Sequence, residues 1–517
     1  MKKPAIVISV SDNVGVAKRK ISRGTIIGHG RDRIVILNTI AQGQRFALTD
    51  IKKGEKVRQY GAPFGISGGI KKGSLVSRDN VCDIKTDLEN IIGNVFKRSK
   101  RSRFAGRKCP GNKNDMSFLG YERADGRVGT RNFYLIVPAS LCAVDVAVKI
   151  ASVLDNNRLL RRQYSSIDGF VAAAHTEGCG CNDGDIIKRL LLTLKNVVNH
   201  PNVGGALVVD LGCEKTNKSV ISKYFGDLRR FGKPVDFITI QDLGGTGKAV
   251  KAGKKIVLSR LDRVNSIKRK KFSIKHLVIG TECGASDSFS GITANPVIGG
   301  VMDRVIGAGG SGIFSETPEM IGAEAILVER MISKEVAKKF MRGMDYYRGL
   351  AEKLNVSMSG NLVEANRKSG LINVALKSLG AVFKGGSTEI VDFLDYAEKI
   401  KKQGLNIMNG PGNDLESMTG IAASGANLIL FSTGLGATEG NAIVPVIRIT
   451  SRTEIFRKLR DDMDFDAGRL ISSDVSLDKL SNKLLEMAIS VASGKKTHSE
   501  IWRKRSFQIW SAGKLSL

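Results

Sequence analysis

Three segments of the sequence set a cysteine against glycine: Gly178–Cys179–Gly180, Gly212–Cys213–Glu214 and Cys283–Gly284. Each follows a short apolar run and precedes a helix-like stretch, so all read as equivalent strand-to-helix turns. Seven cysteines scattered at random would seldom fall this way. A neighbouring glycine lets backbone approach a ligand closely and adopt dihedrals closed to other residues. Thiolates converging from Cys179, Cys213 and Cys283 could hold a soft transition metal or an iron–sulfur cluster. Alternatively they line a pocket in which oxygen and imidazole ligands hold iron or manganese, or they fill space where strands meet helices. Cys181 adds a thiol nearby, but its spacing from Cys179 matches no standard zinc pattern.

His175 ends the run DGFVAAA and faces the same crevice, a position suited to a base or a ligand. The richest segment is ECGASDSFSGITANP, from Glu282 to Pro296. Its carboxyls (Glu282, Asp287), hydroxyls (Ser286, Ser290, Thr293) and amide (Asn295) suit a polyhydroxylated acid bound through many short hydrogen bonds. Read structurally, the same segment is a helix start with Asn295 capping and Pro296 in the first position. SETPEMIGAE contributes Glu316 and Glu319, equally readable as a helix cap. STGLGATEG, which contains Thr433 and Gly434, resembles an anion-cradling glycine loop.

The elements that must position these residues divide the chain. Residues 1–80 alternate short β-rich runs with glycine-centred turns, a small β module. Residues 81–117 are polar and basic and read as a linker, with a second basic linker at Ser266–Lys271. From Phe118 the rhythm becomes strand, glycine-bearing loop, helix. It predicts one α/β part over 118–264 and another over 265–517, both with largely parallel sheets. Ligands in such sheets sit beyond the carboxyl ends of the strands, where the cysteine turns fall.

The formal charge of +31 points to an anionic partner or a basic surface. No nucleic-acid motif or aromatic–basic interleaving accompanies it, so nucleic acid is not the expected partner. No apolar run reaches the ~18 residues of a membrane span, and the opening MKKPAIVISVSDNV is too polar for a signal peptide. An odd number of dispersed cysteines argues against a disulfide framework and for a reducing, cytoplasmic setting.

Taken in order, SDNVGVA (11–17), FALTDIKKGE (46–55), YERADGRVGTRN (121–132), HTEGCG (175–180), LGCEKTN (211–217), ECGASDSFSGITANP (282–296), ETPEMIGAE (316–324), KSLGAVFKGGST (377–388), GLNIMNGPGND (404–414), LFSTGLG (430–436) and DFDAG (464–468) resemble the altronate/galactarate dehydratase family almost end to end. The wording is nearer altronate dehydratase. The resemblance implies an N-terminal SAF domain and a two-part catalytic region. It implies loss of water from D-altronate to give 2-dehydro-3-deoxy-D-gluconate, with ferrous or manganous ion, in a homo-oligomer. On that reading His175 is the base for the alpha proton, with Glu282 and Asp287 also catalytic. Ser286, Ser290, Thr293, Asn295, Thr433 and Gly434 orient the substrate, and Arg127 and Arg131 hold its carboxylate. This chain departs from the family pattern at Ser9 and Gln44, where the SAF domain has histidines, and at Leu435, where STGRG has arginine. The family's NPSPGNK-like loop is reduced to Asn361–Arg367. The departures leave open a lyase acting on galactarate or a sulfolactate-type acid, or an inactive binding homologue.

Overall fold

The computed structural model describes residues 4–30, 32–84, 93, 95 and 116–511. The basic run Lys97–Lys108 lies outside them. The N-terminal module is all β. A four-stranded antiparallel sheet joins Ala5–Ile6, Val14–Ala17, Arg45–Ala47 and Leu75–Val76. A three-stranded antiparallel sheet joins Lys56–Gln59, Ala62–Ser67 and Val81–Cys82.

The middle part is a parallel sheet of four strands, β1 (Phe133–Pro138), β2 (Gly169–Ala172), β3 (Val203–Asp210) and β4 (Val235–Thr239), in the order β2-β1-β3-β4. Strands covered on both faces read as continuous apolar runs, which is why FYLIVP and GALVVD carry no alternation. Tyr134 and Ile136 join a core with helices α1 (Val144–Asp155) and α4 (Thr246–Asn265). Phe133, Leu135 and Val137 face α2 (Asp185–Val198) on the other side, with α3 (Lys218–Phe225) beside it.

The C-terminal part carries seven parallel strands: β5 (Val278–Gly284), β6 (Ser311–Phe314), β7 (Ile390–Leu394), β8 (Leu405–Met408), β9 (Leu428–Thr433), β10 (Val446–Thr450) and β11 (Phe465–Asp466). Their order is β7-β8-β6-β5-β9-β10-β11. Helices α5 (Ala294–Gly307), α6 (Val374–Ala381), α7 (Asp414–Ala423) and α8 (Leu477–Ala492) are among those that pack around it.

These parts share cores. Leu190, Leu194 and Val197 of α2 bury against Met418, Ile421 and Ala422 of α7; each such side chain is worth roughly 1.5–3 kcal/mol on removal from water. A polar weld lies beside them. Thr130 Oγ1 donates to Asn427 O (2.6 Å), Asn427 Nδ2 donates to Val128 O (3.0 Å), and Asn202 Nδ2 donates to Ile443 O (2.9 Å). The stretch expected to be a second linker turns into a strand at its end. Lys270–Ser273 pairs antiparallel with Ser117–Gly120, because its alternating Phe272 packs on Phe118. No described helix is long and apolar enough to cross a membrane.

Candidate active site at the switch point of the larger sheet

In the seven-stranded sheet the chain leaves β5 for β6 on one side and returns to β9 on the other. Ligands bind where strand order reverses in this way, beyond the carboxyl ends of the strands. The loop after β5 is ECGASDSFSGITANP and the loop after β9 is STGLG, so the two richest polar segments meet there. Gly434 N–H and Leu435 N–H both donate to Ala285 O, at 3.1 and 3.0 Å. The loops after β6 and β8 bring Glu316 and Asp414 to the same end.

Glu282, Glu316 and Asp414 each offer a carboxylate oxygen, and these oxygens all lie within 4.8 Å of one another. The glycine after Cys283 makes the approach possible: a Cβ on Gly284 would sit 2.3 Å from Asp414 Oδ2. Two amines face the acids. Lys384 Nζ is in contact with Glu316 Oε2, and Lys377 Nζ lies 2.6 Å from Glu319 Oε1. Lys377 also donates to Asn361 Oδ1 (2.8 Å), one of the asparagines of the shortened loop.

Burial raises the Glu282 carboxyl far above the usual range, and burial with nearby Glu319 pushes Asp414 up to about 6. Lys384 is lowered by burial, whereas Glu319 raises Lys377 against its own desolvation. If every group ionised, four carboxylates would face two ammonium groups, an uncompensated double negative charge. Buried Glu282 Oε1, Glu316 Oε1 and Glu319 Oε2 have no hydrogen-bond partner among the described residues. Unpartnered carboxylate oxygens of this kind are costly unless a proton or a cation satisfies them.

Backbone strain concentrates here too. Ala285 (φ 51°) and Glu316 (φ 70°) both occupy the left-handed region, in the loops after adjacent strands β5 and β6. Non-glycine residues hold that conformation only when their surroundings enforce it.

Several residues singled out from the sequence gather around this point as supports. Cys283 Sγ lies 2.9 Å from Ser286 Oγ, and burial raises its thiol pKa. Asp287 Oδ1 accepts from Phe289 N, Ser290 N, Ser290 Oγ and Ser451 Oγ, and Arg452 Nε is 2.9 Å from Oδ2 in ion-pair contact. Asp287 therefore knots the loop, and Arg452 supplies a guanidinium beside a glycine loop that has none at Leu435. Thr293 Oγ1 donates within the fold, 2.9 Å to Phe289 O and 2.8 Å to Ser451 O. Thr433 Oγ1 accepts from Gly436 N and Ala437 N. Asn295 is not the cap expected, since α5 already begins at Ala294. Its Nδ2 donates to Gly380 O (2.9 Å) and its Oδ1 accepts from Ser432 Oγ (2.6 Å).

Other expectations are corrected. Cys179, Cys213 and Cys283 do not assemble as a ligand set: Cys179 and Cys213 are exposed at the ends of the four-stranded sheet, whereas Cys283 is buried in the seven-stranded one. Among the described residues the only trio with ligand atoms so close is carboxylate throughout. His175 is buried, and its Nδ1 accepts from Glu177 N (3.2 Å) while Nε2 faces Pro138 O at 3.0 Å. The first contact puts the proton on Nε2, so the ring is hydrogen-bonded into the turn after β2 of the smaller sheet. Arg131 is spent on Glu500, Val491 O and Lys495 O, and Arg127 on Asp125 and Asn199. Both are seams between elements.

The turns of the smaller sheet are organised by acids that sequence reasoning passed over. Glu177 accepts from Cys181 Sγ (2.9 Å) and Ser511 Oγ (3.1 Å). Glu214 accepts from Leu211 N, Gly212 N and Ser140 Oγ. These turns approach α7, where burial and Glu177 together raise Glu416 to about 7.

A cavity of about 10 Å³, room for a single water, lies against this site under Tyr60 of the β module. Ser286, Asp287, Ser290, Asn295 and Lys377 line it. The module is anchored there by Arg45, fully buried, whose Nη1 donates to Ser288 Oγ (2.6 Å) and Gly370 O.

The three parts of the chain each match known proteins. Residues 3–83 match the altronate/galactarate dehydratase SAF domain, 120–265 the second domain of D-galactarate dehydratase/altronate hydrolase, and 274–515 the D-galactarate/altronate dehydratase C-terminal domain. The chain is 32% identical to altronate dehydratase of Escherichia coli strain K12 over 98% of its length and 99% of the relative's. It is 30% identical to galactarate dehydratase (L-threo-forming) of the same strain, over 91% of this chain and 90% of that one. It is 29% identical to the (2R)-sulfolactate sulfo-lyase subunit beta of Chromohalobacter salexigens, over 76% of this chain and 96% of that one.

Proposed function

Since the chain belongs to the altronate/galactarate dehydratase family, we propose that it is a cytoplasmic hydro-lyase that dehydrates a D-altronate-like sugar acid to the 2-dehydro-3-deoxy acid, using the carboxylate–amine cluster at the end of β5, β6 and β8. That cluster is the observation that carries the reading. Elimination of water next to a carboxylate needs a group to take a weakly acidic alpha proton, a cation to hold the carboxylate, and relief of the charge that develops.

The donor set fits a hard divalent ion. An ion with metal–oxygen distances of about 2.1 Å holds its oxygens roughly 3–4 Å apart, the separation within reach of Glu282, Glu316 and Asp414. All-oxygen ligation suits Fe2+, Mn2+ or Mg2+ and does not suit an iron–sulfur cluster, which needs thiolates. Held by these carboxylates, the ion would supply Lewis-acid stabilisation of charge building on the substrate carboxylate. Lys377, kept charged by Glu319, binds the substrate carboxylate. Lys384, buried with its pKa lowered, takes the alpha proton at Nζ. The Lys384 ammonium returns that proton to the C3 hydroxyl, which departs as water and leaves an enol that tautomerises to the 2-oxo acid. Ser286 and Ser290, on the wall of the small cavity, orient hydroxyls.

The test is a panel of aldonates, aldarates and sulfolactate, supplied to reduced enzyme with Fe2+ or Mn2+. Release of a 2-oxo acid from an aldonate is expected. Sulfite from sulfolactate with no 2-oxo acid from any sugar acid would reassign the substrate, and no turnover of any member would overturn the reading.

A further inference from the structure

A large cavity lies away from the switch point of the seven-stranded sheet. It measures about 710 Å³, the size of a pocket for a small metabolite, and opens between the end of α1 with the segment after it and the C-terminal strap of residues 496–505. Seven lysine and arginine side chains line it against three carboxylates. Those carboxylates are already engaged. Asp155 is met by Arg161, Arg503 and Arg505, Asp168 by Arg269 and by Asn132 N, and Glu500 by Arg131. The side chains of Arg158, Arg162 and Lys496, all exposed, make no ion pair or hydrogen bond among the described residues. Several cations held together without an opposing acid repel one another, and their field is strongest in a concave site.

We propose that this cavity is a binding site for a small polyanion of the phosphate-ester or pyrophosphate class. Arg158 and Arg162 from the middle part and Lys496 from the strap grip it from opposite walls, while the buried Asp155 fixes Arg161, Arg503 and Arg505 around them. Arginine forks suit phosphate oxygens. The ligand would bridge two parts of the chain. The strap runs on from this cavity to Gln508 and Ser511, which hydrogen-bond Thr176 and Glu177 in the turn after β2.

Pyrophosphate and a sugar phosphate are titrated into the full-length protein at physiological salt by calorimetry, with fluorescence of Trp502, beside the cavity wall, as a second signal. Saturable binding at one site is expected, weakened about tenfold or more by the double variant Arg158→Glu/Arg162→Glu, a loss of about 1.4 kcal/mol. A matched variant on the exposed face of α4, Lys254→Glu/Lys255→Glu, should leave it unchanged. Tighter binding of the sugar phosphate identifies an ester ligand, and tighter binding of pyrophosphate an inorganic one. Equal weakening by both variants, or no saturable binding to the wild type, would overturn the proposal by reducing the effect to general attraction to a basic surface.

Discussion

Glu316 combines a left-handed backbone, an amine partner in Lys384 and an unpartnered carboxylate oxygen. Replacing it by glutamine keeps the shape and removes a charge. Turnover of Glu316→Gln should fall by at least 10²-fold, in the range lost with a single electrostatic group of an active site, and bound metal measured by elemental analysis should fall with it. Cys179→Ser and Cys213→Ser should retain their metal. Loss of metal from those two with Glu316→Gln unaffected would restore the thiols as ligands. The acids were only half legible in the sequence. ETPEM and GPGND stand out as polar loops after apolar runs, but nothing local says that positions 282, 316 and 414 meet. That depends on β6 and β8 lying side by side, a matter of strand order. The cysteine–glycine turns were legible as strand ends, yet sequence cannot say which ends share a sheet. For His175, sequence placed the ring at a strand end, but no pattern of residue types announces the backbone N–H two residues on that donates to it.

At the scale of elements, the loops after β5 and β9 interlock through Gly434, where a Cβ would lie 2.5 Å from both Asp287 N and Asp287 Cγ. Gly434→Ala should therefore push the two loops apart, lowering the unfolding midpoint by an amount equivalent to about 1–3 kcal/mol, as overpacking does, and reducing turnover more than stability alone explains. Differential scanning calorimetry beside kinetics checks both. The joint between α2 and the larger sheet rests on His200, whose Nε2 faces Ala426 O at 3.0 Å and whose Nδ1 accepts from Asn202 N at 3.0 Å. Burial first, then Arg127, holds its pKa well below the ordinary value, so it stays neutral in the folded chain. The unfolded chain binds that proton near pH 6.5, so this contribution to stability is complete above that pH and is lost as pH falls below it, by up to about 1.4 kcal/mol per unit. Urea unfolding between pH 7 and 5 should show a shallower decline in His200→Gln than in the wild type. An equal slope would assign the acid sensitivity elsewhere. The parallel α/β elements themselves were plain from the sequence, because strands buried on both faces spell continuous apolar runs.

For the molecule as a whole, the N-terminal module sits on the site through the fully buried Arg45, through Asn373 Nδ2, which donates to Phe64 O and Asp83 Oδ1, and through Tyr60 against Phe383. The cavity of about 10 Å³ beneath Tyr60 has room for a single water, so the module closes tightly over this wall of the site. Arg45→Ala should loosen it, costing about 2–4 kcal/mol through lost buried hydrogen bonds. Limited proteolysis should then release the module sooner, with KM altered more than the chemistry. A variant as protease-resistant as the wild type would show that other contacts hold the module. None of this docking could be read in advance, since Arg45 lies in a short strand whose neighbours look like any β-rich run. The pairing of Ser117–Gly120 with Lys270–Ser273 has a different import. The polypeptide goes into the four-stranded unit and comes out of it along two neighbouring threads, beside the shared core of α2 and α7. The seven-stranded sheet is therefore threaded independently of that unit, since all its strands lie downstream of the second thread.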